Sequence, residues 1–253
     1  METFNIQSAY EISILDSSGT LLGVMEFDTL AELCRHIRHH GLPDGQVFCL
    51  SGLDLREGYL RQAQLAGADL SNCNLEGVCL SGANLAGANL DGANLNNATL
   101  KAACLRGAHL KGATLIAAGM WWVDLEGADL DGADMRYANM NGAGAEGASF
   151  AGANLDTAAL AWTDFEAANL EGAILRKAYL RAAYFRRADL RGADATGAFL
   201  DGADFRMAYM EGMRIDKADL QGAHVVSDQM RETVGKPASA PPLDAEQVER
   251  SPS

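Results

Sequence analysis

From Leu53 to Leu220 an apolar residue returns at every fifth position, with no insertion or deletion. Numbering each pentad by that residue places its centre on every multiple of five. Between Leu55 and Leu220 there are 34 centres: 23 Leu, four Phe, four Met, Ile215, and the two exceptions Ala145 and Ala195. Ala fills 27 of the 34 positions two residues before a centre, and Asp or Asn fills 17 of those directly before it. Gly is the commonest residue two after it. The runs SGANL, AGANL and DGANL at 81–95 show the pattern in its plainest form.

A period of five fits neither ordinary element. On a helix, five residues advance by about 500°, so successive Leu would spiral around every face. On a flat strand, side chains alternate with period two, so an odd repeat would turn every second Leu outward. A chain that bends once per pentad satisfies the pattern. The centre and the residue two before it then point inward, and the other three point out. Gly tolerates the positive φ that such corners need, and Asx side chains bond nearby backbone. Four corners would close a coil of 20 residues, with coils stacked about 4.8 Å apart.

These tandem A(D/N)LxG units resemble the pentapeptide-repeat family. The resemblance implies an all-β solenoid, a right-handed quadrilateral β-helix, over about two thirds of the chain. Its four-sided section comes from the family; the spacing alone requires only one turn per pentad. The 34 centres make 8.5 coils, a rod about 40 Å long at the strand spacing.

The remaining segments read differently. In residues 1–48, Tyr10–Leu15 alternates as a strand, 16–19 reads as a turn, and Thr20–Phe27 as a second strand. Thr29-Leu-Ala-Glu32 is a capping box, and its helix should run to about His40, with Leu30, Leu33, Cys34 and Ile37 inward. This ββα unit is expected to cover the open N-terminal end of the coil. The rod proper is expected over 49–230. Residues 231–253, with four Pro, predict a disordered tail. The apolar C-terminal element that dimerises the fluoroquinolone-resistance members of the family is not matched, so the oligomeric state stays open.

Composition narrows the function. The net charge of -14 argues against gripping nucleic acid directly. No apolar run approaches the length of about 20 residues that a membrane helix needs, and METFNIQSAY lacks a secretory signal. Five cysteines without CxxC suggest reduced thiols and a cytoplasmic protein. His36, His39 and His40 share a helix, but no acid or Cys completes a ligand set, so no metal and no cofactor are expected. Nothing resembles GxSxG, HExxH or a P-loop, and a solid rod offers no cleft for acid–base work, so no enzyme is expected.

The surface carries the functional signal. Glu126, Glu146 and Glu166 lie 20 apart and should form one outward column, with Asp124 and Asp164 alongside. From 112 to 175 there are ten acids and one base, Arg136. Arg176, Arg181, Arg186 and Arg191 should ring the next coil, with Arg186 facing Glu166 and Arg191 facing Glu171. Trp121, Trp122 and Trp162 fall at outward positions, and exposed aromatics are candidate interface anchors. The column and the tryptophans together form the candidate partner-binding surface, and the expected partner is a protein of unknown identity. The resemblance adds a specific case: in gyrase-binding family members, rod carboxylates stand in for DNA phosphates on a basic saddle. The alternative is a scaffold or targeting protein, such as an effector or phage accessory protein, whose ββα head carries the specific activity.

Overall fold

The computed structural model describes residues 10–224, save 17, 41 and 44. The expected tail over 231–253 and the last expected rod residues, 225–230, lie outside the described residues. Every outward residue before a centre makes a parallel bridge to the residue 20 positions on, from Cys49↔Asp69 to Asp204↔His224. Four pentads therefore make one coil, and the chain is a β solenoid. Residues 20 apart are vertical neighbours, as the columns required.

The backbone explains the pentad. Each centre carbonyl accepts a hydrogen bond from the amide three residues on, as Leu60 O does from Ala63 N at 3.0 Å. The third residue of that turn, two after the centre, has positive φ at every pentad from 52 to 222, whether Gly or one of 16 other residues. That is the position such a turn keeps for Gly or Asn. The centre amide bonds the coil above, for example Leu65 N to Asn84 O at 2.8 Å. Many Asx residues accept from the amide two residues on, as Asn89 does from Asp91. Local geometry and stacking thus satisfy the same backbone that the repeat bends.

Centres and the small residues two before them are buried along nearly the whole rod. Polar exceptions are bonded. Thr163 Oγ1 donates to Met140 O at 2.9 Å, and Cys73 Sγ donates to Leu50 O at 2.9 Å, each to the carbonyl 23 residues earlier. Burial pushes the Cys73 thiol up to about 11, which leaves it an unreactive packing group. Phe165, Phe185 and Phe205 stack with centroids 5.2 and 5.0 Å apart. The Phe150 ring meets Phe165 edge-on at 5.5 Å. Ala195 lies ten residues, half a coil, from both Phe185 and Phe205, so small faces large across the axis.

The head contains β1 (Tyr10–Asp16), β2 (Leu21–Phe27), α1 (Leu30–His39) and β3 (Gln46–Cys49). Asp16 Oδ1 holds the β1–β2 turn by accepting from the amides of Ser18 and Thr20, each at 2.8 Å. At α1, Thr29 Oγ1 accepts from Glu32 N, and Glu32 reaches back to the amide of Asp28 rather than Thr29. The sequence pattern did not separate β3 from the rod. It pairs antiparallel with β1, giving the order β2-β1-β3, and its last residue makes the first parallel bridge of the coil. One strand therefore joins sheet to solenoid. Against the first coil, a Cβ at Gly58 would stand 2.7 Å from Leu55 O and 3.1 Å from Cys34 Sγ, so only Gly lets α1 sit there. Among the described residues no helix is long and apolar enough to cross a membrane.

Candidate functional site

The rod has four sides, and two adjacent ones carry the candidate residues. On the acidic side, Asp124, Gly144 and Asp164 stack through successive bridges, and the carbonyls of Glu126, Glu146 and Glu166 all accept from the coil below. The column is neutralised at its ends only. Below, Arg106 pairs with Asp124 at 3.2 Å and with Glu126. Above, Arg187 pairs with Glu166 at 3.4 Å. In the middle, the neighbouring Asp164 carboxylate chiefly holds the Glu146 carboxyl above its usual range; burial and the charges of Glu126 and Asp124 add to it. Two carboxyl groups that close favour sharing a proton. Gly144, where Asp or Asn is the usual choice, leaves open space between Asp124 and Asp164.

The neighbouring side is aromatic. Trp122 and Trp162 stand in one column, 61% and 56% exposed, with Gly142 between them. A Cβ on Gly142 would lie 2.8 Å from Trp122 Cδ1, so the indole leans over that glycine. Trp121 is half-buried because its ring folds across Gly119, where a Cβ would clash at 2.3 Å. Lys101 sets its ammonium 5.0 Å from the Trp122 ring centre. Together Trp121, Trp122, Asn139, Asn141, Gly142 and Trp162 line an open groove of ≈ 330 Å³. The two sides meet at an edge, since only one inward residue separates Trp122 from Asp124 and Trp162 from Asp164.

The family model for pentapeptide repeats matches in eight copies, over residues 49–85, 79–116, 120–150, 146–181 and 183–222. The chain belongs to the pentapeptide-repeat family. Among solved structures of such proteins it is similar to HetL of the cyanobacterium Nostoc, a protein involved in heterocyst differentiation regulation. There the identity is 30% over 68% of this chain and 83% of that one, with a TM-score of 0.36. A pentapeptide-repeat protein of the Arabidopsis thaliana thylakoid lumen shares 34% identity over 42% of this chain and 70% of its own, with a TM-score of 0.31. QnrB1, a plasmid-mediated fluoroquinolone resistance protein, shares 18% over 71% and 91%, with a TM-score of 0.39. No curated protein sequence matches the chain.

In this pentapeptide-repeat chain the arginine ring pairs differently from the expectation. Arg186 does not face Glu166; its Nε binds Asp204 at 2.6 Å. Arg191 does not face Glu171; it grips Asp189 through Nε and Nη2. Arg176 and Arg181 pair with Asp156 and Asp201. Arg176, Arg181 and Arg186 thus pair with acids on adjacent coils, as the ring was expected to, and only for Arg191 is the reason local. An Asp before a centre and an Arg after it flank one inward side chain, as strand residues i and i+2 do, and lie within a bidentate reach. The same grip recurs at Asp54–Arg56, Asp134–Arg136 and Asp204–Arg206. The D-x-R spacing was visible in the sequence and names these pairs.

The head offers a second concavity. A cleft of ≈ 490 Å³ between α1 and the first coil is lined by Cys34, Arg38, His39, Gly58 and Tyr59, with Arg38 stacked 4.6 Å over the Tyr59 ring. His36 packs among Phe27, Phe48 and His40, and burial foremost holds its pKa down. Among the described residues no group of three or more His, Cys, Asp or Glu is arranged to hold a metal.

Proposed function

We propose that the chain is a non-enzymatic, cytoplasmic binding rod that presents its acidic side to a basic protein surface. The supporting observation is the carboxylate column. Glu126, Glu146 and Glu166 repeat at the coil spacing, arginine neutralises only the ends, and the Asp164 carboxylate holds the central Glu146 carboxyl above its usual range. Like charges held this close oppose folding and suit a cationic partner. The coil is read as right-handed, following the rule for parallel strand connections. The units are read as a head over 1–48 that shields the first coil's edge, a rod over 49–230, and a tail over 231–253.

The specific case is DNA mimicry on a gyrase-like topoisomerase, with carboxylates spaced along the rod taking the place of phosphates. The test is binding of purified DNA gyrase to the full chain across a salt series, with DNA as competitor. The triple variant Glu126→Gln, Glu146→Gln, Glu166→Gln should lose at least tenfold in affinity and flatten the salt dependence. Equal binding by the triple variant, or no binding at low salt, rejects mimicry. A second reading, a targeting scaffold that acts through its head, is favoured by β2. That strand lies at the edge of the three-stranded sheet and exposes Leu21, Leu22 and Val24. Such an edge can accept a partner strand.

A further inference from the structure

The tryptophan groove is at odds with folding economy. Trp122 and Trp162 have φ of 60° and 57°, the left-handed conformation that Gly adopts without strain and that they share with 14 other non-Gly residues at this turn position. A bulky L-residue there strains the backbone. Both rings remain mostly exposed, so the core gains little from them. Two strained, exposed indoles in one column, with glycine between, point to a ligand.

We propose that the groove docks a proline-rich segment of a partner protein in the polyproline II conformation, with a neighbouring arginine of that segment laid across the edge onto Asp124 and Asp164. The inference rests on the protein-binding reading and names what the partner carries. Spacing supports it first. Trp122 and Trp162 are two coils apart, about 9.6 Å along the rod. One turn of polyproline II, three residues at 3.1 Å, is about 9.3 Å. A segment lying along the axis therefore brings equivalent prolines to both indoles. Hydrogen bonding supports it next. The Oδ1 atoms of Asn139 and Asn141 are engaged by the amides of Asn141 and Ala161. Their Nδ2 groups on the groove floor are left to donate to carbonyls, which polyproline II keeps free of internal bonds.

Charge fixes the arginine. At the outward positions of the aromatic side, no Asp or Glu occurs from Tyr59 to Ala182. Acids lie instead across the edge, at Asp124 and Asp164; Asp124 already pairs with Arg106, and among the described residues Asp164 has no arginine partner. The protein already lays Lys101 over Trp122, so these indoles accept cations in place. A segment that enters in preformed polyproline II geometry loses little conformational entropy on binding.

The three tryptophans of the chain all line this groove, so selectively excited tryptophan emission reports on the groove. The full chain is titrated with a fluorescein-labelled proline octamer flanked by arginines. The control has the same arginines around a Gly-Ser spacer of equal length. The proline peptide should give a saturable emission change and, by anisotropy, bind at least tenfold more tightly than the control. Trp122→Ala and Trp162→Ala should each weaken it at least fivefold without lowering the melting temperature, since neither ring is buried. Equal binding of the two peptides overturns this inference and leaves the acidic-face reading standing. No saturable binding of the proline peptide at millimolar concentration also overturns it, as does binding that survives both Trp substitutions.

Discussion

Asp204 is the most demanding charged group in the rod. Its side chain is 4% exposed. It accepts from Arg186 Nε at 2.6 Å, from Arg206 Nε and Nη2 at 2.9 and 2.7 Å, and from the Arg206 amide at 3.1 Å. The Arg206 guanidinium is the chief reason its carboxyl lies far below the ordinary carboxylate range; burial opposes the shift, and Arg186 adds to it. Asp204→Asn keeps the shape and removes the charge. Removing one partner of a buried pair costs about 3–5 kcal/mol. Both arginines here are about half exposed and regain water, so about 2–3 kcal/mol is expected. At about 2–4 °C per kcal/mol for a rod of this size, the melting temperature should fall by about 4–12 °C at pH 7. The sign with pH follows from the depressed pKa. The stabilisation is complete above the unfolded value near 3.9 and is lost as pH falls towards the folded one. The gap between wild type and variant should stay constant from pH 8 to 5 and shrink below about pH 4. Melting followed by circular dichroism at pH 7, 5, 4 and 2.5 measures it. A shift under 1 °C at pH 7, or a gap that does not narrow in acid, refutes the account.

Two further substitutions separate core from surface. Phe185→Ala removes the middle ring of the buried stack, which Phe165 and Phe205 cannot fill, and should cost about 3–5 kcal/mol by denaturant titration; a cost below 1 kcal/mol would mean the coil collapses around it. Trp122→Gly should leave the melting temperature unchanged or raise it slightly. It relieves a left-handed backbone that costs an L-residue about 1 kcal/mol and forfeits only exposed contacts; a fall of more than 3 °C would show the indole to be structural.

What the sequence made legible was whatever repeats. The inward centres, the inward Ala and the Gly corner follow from one constraint on the backbone; the 20-residue columns that put Glu126, Glu146 and Glu166 in line came from the family resemblance. The capping box and both strands of the hairpin were legible too, because their signals are local. β3 was not. Val47 and Phe48 run straight into the first pentad, and only pairing with a distant strand distinguishes them. The Arg186 and Arg191 partners were not legible, for two different reasons. Arg191 takes the Asp two residues before it, which is the shorter reach, and Arg186 goes to Asp204 on the next coil, diagonal to the 20-residue column. The groove was legible in its walls and not in its floor. Gly142 and Gly119 look like other repeat glycines until the rings of Trp122 and Trp121 are found lying over them.

A solenoid of this kind separates its two tasks by position within the pentad. Core and turn residues repeat because every coil needs them, so they carry no information about function. Outward residues are nearly free, and a departure there from Gly, Asx or a solvated charge asks for a separate cause. Ala102, Trp122, Gly142, Trp162 and Ala182 occupy one column with positive φ throughout. The backbone treats them alike, and Gly would serve folding better at each. That two of five are tryptophan, in alternate coils and beside the carboxylates, is not something the coil requires. The strain at those two corners is a property of the free rod, and a ligand that sandwiches or spans the indoles is what would make it favourable on balance.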